Sequence, residues 1–422
     1  MPALNQQTLP QATATAIDAA IAAATADPYY SVPRLVFAAG SSSSPILYSG
    51  AGGYGRLPPS PADLDKEGEK ITADSCYELY SCTKLVGSIA ALQLVEQGLI
   101  SFNDDAAKYV PELAAAKVFK GWDEQDEPIL EEKERAVTVR MLLTHTSGAV
   151  YFFHALEDVN KVAKKLGINP APYGETATPN CLYKMPLWYQ PGTRWTYGTS
   201  IDWLTKIVEN VTGLDLETYF QERIFRPLGI TDISFNPNPS QIDMAFSPPA
   251  SSPSSPYTFA RNTAMSAVHR YGGAGLKGSP SSYLKLLRAI LRGGAVEDGE
   301  RILKPETVEL MFEPQLNEKQ ARDLQLAEVR GSEPFSRAAG KSLEDANWGL
   351  GGMLSGTGLA SGRGARSLHW SGMANTYWVI DRANDVCFVL FSNIIPYGND
   401  AVFAAWHEIE TELYKGLNSL KA

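Results

Sequence analysis

Apolar residues recur at helical spacing along several stretches of the chain. Between residues 82 and 97 no proline interrupts this pattern and Gly87 is its only glycine, so the sequence predicts a helix there. Ser81 therefore lies where a helix begins. Further helices are predicted over residues 12–26, 139–143, 153–165, 201–212, 281–292 and 401–413.

Short apolar runs predict β-strands in two separate parts of the chain. Near the N-terminus, the runs at 34–39 and 45–49 flank a serine-rich turn and predict a hairpin. The C-terminal part carries further runs at 350–354, 366–370, 376–381 and 386–392. Strands that follow one another through short turns favour antiparallel pairing. The pattern therefore predicts one antiparallel sheet assembled from both ends of the chain.

The middle of the chain has a different character, because residues 105–214 read mostly as helices separated by loops. This stretch predicts a mainly helical subdomain inserted into a discontinuous α/β sandwich domain of residues 1–104 and 215–422. The expected fold class is α+β, with an antiparallel sheet flanked by helices. A polar, weakly periodic region at 313–346 predicts a loop over the surface.

Composition excludes several classes of partner. The chain has 422 residues, 44% of them hydrophobic and 20% charged, which is enough to bury a large core. Its net charge of -10 repels nucleic acid and anionic lipid surfaces. No apolar stretch is long enough to cross a bilayer, and the N-terminus lacks the basic and apolar segments of a signal peptide. We therefore expect no nucleic-acid or membrane partner and a cytoplasmic location.

The cysteines and histidines give no sign of a metal site. Four cysteines, Cys76, Cys82, Cys181 and Cys387, are too few for a disulfide framework in a chain of this length and lack zinc-binding spacing. We expect them to be small buried residues. His407 begins an H-E-x-x-H-like stretch that ends in Thr instead of His. The sequence therefore predicts neither a metal nor a cofactor.

A catalytic signal comes from Ser81 and Lys84, which form an S-x-x-K tetrad at a predicted helix start. This spacing puts the hydroxyl and the amine on one helix face, where they can share a proton. The helix N-terminus adds a field that favours an alkoxide. Ser282 and Lys285 match the same pattern, and we interpret that match as an accident in which Ser282 caps a helix after Pro280.

Additional motifs occur in a fixed order after Ser81. They are L-T-H-T-S-G at 143–148, Q-P-G-T-R-W-T-Y-G-T at 190–199, G-G-A-G-L at 272–276 and H-W-S-G at 369–372. With the S-x-x-K tetrad, this set resembles the class C β-lactamase superfamily, which includes family VIII esterases and penicillin-binding-protein-like hydrolases. Stretches at 202–203, 213–217, 227–232 and 348–352 resemble most closely the fungal polyketide transesterases of the lovastatin acyltransferase type. The resemblance implies a β-lactamase/transpeptidase-like fold.

The resemblance also implies roles for individual residues. Ser81 would be the nucleophile, Lys84 its proton partner and Tyr197 the residue that completes the base. Free Tyr and Lys titrate near pH ~10 and ~10.4, so the base would be either a Lys held neutral or a phenolate stabilised by a neighbouring ammonium. The backbone amides of Ser81 and Met373 would form the oxyanion hole. His145, in the H-T-S-G turn, is expected to make a structural hydrogen bond.

Two departures from the superfamily pattern concern substrate recognition. Trp370 stands where the K-T-G motif has Lys, and Thr199 stands where the Y-x-N motif has Asn. Both changes weaken polar recognition of a β-lactam or peptide and favour an ester with an apolar acyl group. The candidate substrate-binding residues are Trp370, Ser371, Gly372, His369, Trp188 and Phe153. Core packing remains the alternative for the aromatic residues among them, and a strand hydrogen bond is the alternative for His369.

The sequence therefore predicts two-step acyl transfer through an acyl-enzyme on Ser81. The donor would be an ester or thioester, with an acyl carrier protein as one candidate donor, and the acceptor an alcohol of a small hydrophobic molecule. Hydrolysis of small hydrophobic esters is the second prediction. A β-lactamase or peptidase is the third, and a scaffold that has lost catalysis is a fourth.

Overall fold

The computed structural model describes most of the chain. The described residues are 8–151, 156–169, 180–236, 238, 240–260, 270–297, 299–326 and 345–421. The strands are β1 (Arg34–Gly40), β2 (Tyr48–Arg56), β3 (Glu69–Lys70), β4 (Tyr77–Glu78), β5 (Val118–Trp122), β6 (Pro128–Glu131), β7 (Met244–Phe246), β8 (Thr258–Ala260), β9 (Lys277–Gly278), β10 (Asn347–Trp348), β11 (Met353–Leu354), β12 (Leu368–Gly372), β13 (Thr376–Asp381), β14 (Val386–Phe391) and β15 (Ile394–Ile395).

The described residues also form α-helices and a few short turns of 3-10 and π type. The α-helices are α1 (Gln11–Ala24), α2 (Leu64–Glu67), α3 (Thr83–Glu96), α4 (Val139–Leu143), α5 (Leu156–Lys165), α6 (Asn180–Tyr183), α7 (Ser200–Thr212), α8 (Leu216–Phe220), α9 (Pro280–Leu291), α10 (Pro305–Met311), α11 (Glu318–Gln325) and α12 (Asp400–Lys421). The 3-10 turns are Pro61–Asp63, Tyr80–Cys82, Ala106–Lys108 and Pro111–Leu113, and the π turn is Gln221–Phe225.

The main sheet has eight strands in the order β10-β11-β12-β13-β14-β1-β2-β3, and all neighbouring pairs are antiparallel. The N-terminal hairpin joins the C-terminal strands through β1 and β14, where Val36 lies opposite Phe391. The prediction of an α+β fold with one antiparallel sheet built from both chain ends is confirmed.

Helices cover both faces of this sheet. All residues of β1 are buried, and they alternate between the two cores, as expected for a strand between two layers. Phe37 packs into the core beneath α1 and α12, whereas Val36 packs into the larger core that contains α3 and α9. The side of α3 and α9 is the side on which Ser81 lies.

The region from 105 to 214 contains a strand pair that the sequence did not predict. Strands β5 and β6 form a hairpin with a register shift between Phe119 and Gly121, and Gly121 adopts a positive φ of 135°. This irregularity breaks the alternation that identifies a strand in sequence. Helix α7 of this region packs on α3, where a Cβ on Gly87 would lie 2.9 Å from Thr205. The division into two domains remains a prediction.

Several predicted boundaries differ from the observed ones. Helix α12 continues to Lys421 instead of ending at residue 413, because Leu417 keeps its apolar face buried. Helix α11 forms inside the predicted 313–346 loop, where Asn317 and Gln320 make a capping box. Residues 327–344 of that loop lie outside the described residues.

The prediction that Ser282 of the second S-x-x-K match caps a helix was wrong. Ser279, not Ser282, caps α9 by accepting the backbone N–H of Ser282, with Pro280 in the first helical position. Lys285 donates to the carbonyl of Gly229 at 3.1 Å instead of facing Ser282.

Two global features bear on the sequence expectations. Within the described ranges, no helix combines the length and the apolar character needed to cross a membrane. Cys76, Cys82 and Cys387 are buried and carry free thiols, whereas the side chain of Cys181 lies outside those described.

Candidate active site

Ser81 lies in the tight 3-10 turn that leads into α3. The preceding residue, Tyr80, has a φ of 44°, a left-handed conformation that is strained for a residue with a Cβ. Two backbone hydrogen bonds fix this turn: Leu79 N–H donates to Leu276 O at 3.0 Å, and Cys82 N–H donates to Leu79 O at 3.0 Å. Tyr80 and Cys82 are buried, whereas Ser81 is only partly buried. The turn therefore presents the Ser81 hydroxyl at the head of a helix.

Lys84 is buried one helical turn further on, with 2% of its surface exposed. Its Nζ lies 3.2 Å from Ser81 Oγ, 2.9 Å from Tyr151 OH and 2.7 Å from the carbonyl oxygen of Gly273. Burial lowers the pKa of Lys84 to about 7, and the negative charge of Asp202 opposes this effect. A substantial fraction of Lys84 is therefore neutral at physiological pH and able to accept a proton.

Tyr197 is also buried and hydrogen-bonded to the side chain of Ser81. Its phenol oxygen accepts a hydrogen bond from Trp370 Nε1 at 3.2 Å, and its ring lies 4.8 Å from Lys84 Nζ. Burial raises the pKa of Tyr197 well above its usual value of 10, although the hydrogen bonds with Ser81 and Trp370 work in the opposite direction. Of the two bases that the sequence left open, the neutral amine is therefore favoured over the phenolate.

The H-T-S-G turn holds Tyr197 in place. His145 Nδ1 accepts the backbone N–H of Gly198 at 3.4 Å, and His145 O accepts that of Thr196 at 3.0 Å. A Cβ on Gly198 would lie 2.0 Å from Ala149 O, so only glycine permits this close approach. These contacts flank Tyr197 on both sides and agree with the structural role expected of His145.

The end of β12 packs against the Ser81 turn. A Cβ on Gly372 would lie 2.4 Å from the carbonyl oxygen of Leu79, so glycine is needed for this contact. Met373 follows directly, with 40% of its surface exposed. The end of β12 therefore lies beside the turn that contains Ser81. A shared role of the Met373 and Ser81 amides in an oxyanion hole stays a prediction.

Strand β12 directs its side chains to opposite faces of the sheet. Trp370 lies on the face of Tyr197, at a ring distance of 5.0 Å, and only 3% of its surface is exposed. Its indole therefore packs mainly against other protein side chains, and its role in substrate binding stays a prediction. His369 lies opposite Val379 and is influenced by the charge of Arg363, on the face covered by α12. The geometry does not bring His369 to Ser81, and burial holds its pKa well below its usual value.

Of the other predicted substrate-binding residues, Ser371 and Trp188 contact neighbouring protein groups. Ser371 Oγ lies 2.7 Å from the hydroxyl of Tyr397. The ring of Trp188 packs against Phe119 of β5 at 4.9 Å, and its backbone N–H donates to Gly148 O at 2.7 Å, beside the H-T-S-G turn. Phe153 and its neighbour Phe152 lie outside the described residues.

Two residues in the site were missed at the sequence level. Tyr151 contacts Lys84 directly, and Asp202 contacts both Tyr151, at 3.2 Å, and the backbone N–H of Gly273, at 3.1 Å. Tyr151 lies in an apolar segment, where an aromatic residue is ordinarily explained by core packing. Asp202 lies in the first turn of a helix, where an acidic residue is ordinarily explained by its interaction with the helix dipole. Tyr151 lay in none of the motifs, and Asp202 lay in the stretch 202–203 that supports the resemblance but was assigned no role there.

The fold and the arrangement around Ser81 together are typical of one class of protein. An antiparallel sheet with helices on both faces, and a serine at a helix start contacted by a buried lysine and a tyrosine, are typical of β-lactamase/transpeptidase-like serine enzymes. Residues 30–412 match the family Beta-lactamase. The chain belongs to this family.

Several known proteins that resemble this chain are fungal enzymes. The chain is 33% identical to a lovastatin esterase of Penicillium rubens, over 85% of the chain and 90% of the relative. It is 32% identical to a monacolin J acid methylbutanoyltransferase of Aspergillus terreus, over 79% and 80% of the two chains. Its structure matches the unliganded simvastatin synthase (LovD) of Aspergillus terreus with a TM-score of 0.80 and 27% identity. The match covers 96% of this chain and 98% of the synthase chain.

Proposed function

We propose that this chain transfers an acyl group through a covalent intermediate on Ser81. The donor is an ester or thioester and the acceptor is an alcohol of a small hydrophobic molecule. One observation carries the proposal: the Ser81 hydroxyl is hydrogen-bonded to both a buried lysine and a buried tyrosine. This arrangement can remove the proton of a serine at neutral pH, because Lys84 has a pKa of about 7.

The first half-reaction forms the acyl-enzyme. The neutral amine of Lys84 takes the proton of Ser81 while Oγ bonds to the carbonyl carbon of the donor. The carbonyl oxygen then carries the negative charge, which the amides of Ser81 and Met373 stabilise. When the bond to the leaving group breaks, the proton passes from Lys84 to the leaving atom, with the Tyr197 hydroxyl as the relay.

The second half-reaction releases the acyl group. The acceptor alcohol gives its proton to Lys84 through the same relay and attacks the acyl carbon. Ser81 leaves as the bond to Oγ breaks and regains a proton from Lys84. Water in place of the alcohol gives hydrolysis. The choice between them depends on how well the bound alcohol excludes water from the acyl-enzyme.

The relatives support both outcomes. The monacolin J acid methylbutanoyltransferase supports transfer, and the lovastatin esterase supports hydrolysis as the second candidate function. Trp370, which occupies the place of the family's Lys and hydrogen-bonds to Tyr197, weighs against a β-lactamase or peptidase. An acyl carrier protein as the donor remains part of this proposal, together with a free acyl thioester.

Product partition tests the function directly. Purified chain is given p-nitrophenyl esters and acyl thioesters of increasing acyl length, with and without added hydrophobic alcohols, and Ser81→Ala serves as the control. We expect wild type to form the transferred ester when an alcohol is present and Ser81→Ala to form neither product. Turnover of nitrocefin without turnover of any ester would contradict the proposal, and so would ester turnover by Ser81→Ala.

A further inference from the structure

The hydrogen bonds around Lys84 include a second layer formed by Asp202 and Tyr151. We infer that these two are positioning residues that orient the Lys84 amine, so that its lone pair faces the Ser81 hydroxyl. The inference rests on the proposed function, because it presumes that Lys84 accepts the proton of Ser81. It goes beyond that function by naming the residues that direct the Lys84 lone pair towards Ser81.

The neighbours of Lys84 Nζ limit how the amine can be oriented. A neutral amine has two N–H donors and one lone pair. Among the described residues, its hydrogen-bonding neighbours are oxygens of Gly273, Tyr151 and Ser81. The Gly273 carbonyl can only accept, so it takes one N–H. A tyrosine hydroxyl can either donate or accept. The lone pair therefore meets Ser81 only if Tyr151 accepts the second N–H.

Asp202 determines the direction of the Tyr151 proton. Its Oδ2 lies 3.2 Å from the Tyr151 hydroxyl, and a carboxylate can only accept. Tyr151 therefore donates to Asp202 and presents an oxygen lone pair to Lys84. Both N–H groups of the amine are then engaged, and the direction that remains is the one towards Ser81.

The second oxygen of Asp202 acts on the other partner of Lys84. Oδ1 accepts the backbone N–H of Gly273 at 3.1 Å, and the carbonyl of the same glycine accepts from Lys84. One carboxylate thus fixes both protein groups that receive the N–H donors of the amine. Asp202 is fully buried, and burying a carboxylate is costly unless it is hydrogen-bonded.

The charged groups near Lys84 connect the orientation of its amine to a measurable quantity, the pKa of Lys84. Besides Asp202, the described titratable groups near Lys84 are the Cys82 thiol in the preceding turn and the phenols of Tyr151 and Tyr197. Burial raises the pKa of Cys82 to about 12, so its thiol is neutral at physiological pH. Asp202 supplies the charge that raises the pKa of Lys84 against the larger effect of burial.

The test compares the pH profiles of Asp202→Asn, Tyr151→Phe, their double variant and Thr205→Val. Thr205 lies one turn after Asp202 on α7 and accepts the N–H of the neighbouring Gly272 at 2.9 Å, so it is a matched control. Each full-length protein is titrated with an alkyl phosphonate that labels Ser81. The ratio kcat/KM for a p-nitrophenyl ester is then expressed per labelled site, which removes losses of folded protein.

We expect Asp202→Asn to reverse the orientation. The Gly273 N–H still donates to the side-chain oxygen, now that of the introduced amide, and the amide nitrogen donates to the Tyr151 oxygen. The Tyr151 hydroxyl then donates its proton to the lone pair of Lys84. The plateau of kcat/KM should fall by roughly 10- to 100-fold. The apparent pKa of the profile should fall by about one unit, because a nearby negative charge is lost.

Tyr151→Phe should also lower the plateau, and the double variant should lose much less than the product of the two single losses, since both act through one hydrogen bond. Thr205→Val should keep both the plateau and the apparent pKa per labelled site. An unshifted pKa in Asp202→Asn together with multiplicative losses would overturn the inference.

Two further outcomes are distinguishable. If Asp202→Asn does not fold, Tyr151→Phe tests the same orientation alone, and a wild-type plateau in that variant would overturn it. If wild type itself does not react at Ser81, the proposed function fails first and the inference fails with it.

Discussion

Trp370 Nε1 donates a hydrogen bond to the phenol oxygen of Tyr197 across 3.2 Å. This bond occupies one lone pair of the phenol and leaves its proton for Ser81 or for the leaving group. Trp370 stands where the K-T-G motif has Lys, so a neutral donor replaces a cation at this position of the motif. It holds the phenol in place without adding a positive charge that would favour the phenolate.

Removal of this donor should slow the reaction modestly. Trp370→Phe keeps an aromatic ring in the cluster but loses the N–H, and a neutral hydrogen bond contributes about 1 kcal/mol. We expect kcat/KM for a p-nitrophenyl ester to fall roughly 3- to 10-fold, with a small change in the urea midpoint. Trp378→Phe is the matched control, because Trp378 lies opposite Trp370 in the sheet and its Nε1 has no hydrogen-bond partner among the described residues. Equal losses in the two variants would show that ring packing, not the hydrogen bond, matters.

The rate should depend on pH through Lys84. Burial lowers the pKa of this amine to about 7, and only the neutral amine can take the proton of Ser81. We therefore expect kcat/KM to rise with pH, with an apparent pKa near 7, and to level off above about pH 8. The measurement is a profile from about pH 5.5 to 9.5 with a neutral ester substrate. A profile that rises only near pH 10 would assign the proton transfer to an unshifted group.

Gly372 should be intolerant of a side chain. In Gly372→Ala, the new Cβ would meet the Leu79 carbonyl at 2.4 Å and push the end of β12 away from the Ser81 turn. Loss of one oxyanion donor lowers kcat by about 10²- to 10³-fold, and we expect a decrease of that order. Gly358→Ala is the control, because Gly358 is exposed and its nearest neighbour, Arg363 O, lies 3.1 Å from the added Cβ. A kcat for Gly372→Ala within a few-fold of wild type would contradict the close packing.

Glu78, three residues before Ser81, should make stability depend on pH. Burial raises its pKa to about 7 from 4.5, although Lys277 at 3.8 Å and a hydrogen bond from Gln241 oppose the shift. A raised carboxyl pKa gives stability that is fully present below pH 4.5 and is lost as the pH rises through 7. Glu78→Gln should remove this dependence. The free energy of unfolding of wild type minus that of Glu78→Gln, measured in urea, should therefore fall between these pH values. A constant difference would contradict the raised pKa.

The sequence predicts those parts of the site that are close along the chain or belong to an ordered set of motifs. Helix geometry predicts that Ser81 and Lys84 lie close together. The positions of the apolar runs predict one sheet built from both ends of the chain. Tyr197 was identified by resemblance alone, because nothing in its local sequence separates it from a core aromatic.

Other features depend on contacts that no local pattern encodes. Asp202 and Tyr151 are 51 positions apart, and their meeting at Lys84 is set by the packing of α7 on α3. His369 is one residue from Trp370 but faces the opposite side of the sheet, so proximity in sequence was misleading there. The β5 and β6 hairpin was missed because a bulge at Gly121 breaks its alternation.

Passage of acyl groups through Ser81 is best tested by rapid mixing with a p-nitrophenyl ester, followed by absorbance and by mass spectrometry of the intact protein and its peptides. We expect a burst of nitrophenolate equal to the enzyme concentration, with the acyl mass added to the peptide that contains Ser81 and no adduct in Ser81→Ala. Steady turnover without any adduct, or an adduct on another residue with activity retained in Ser81→Ala, would contradict it.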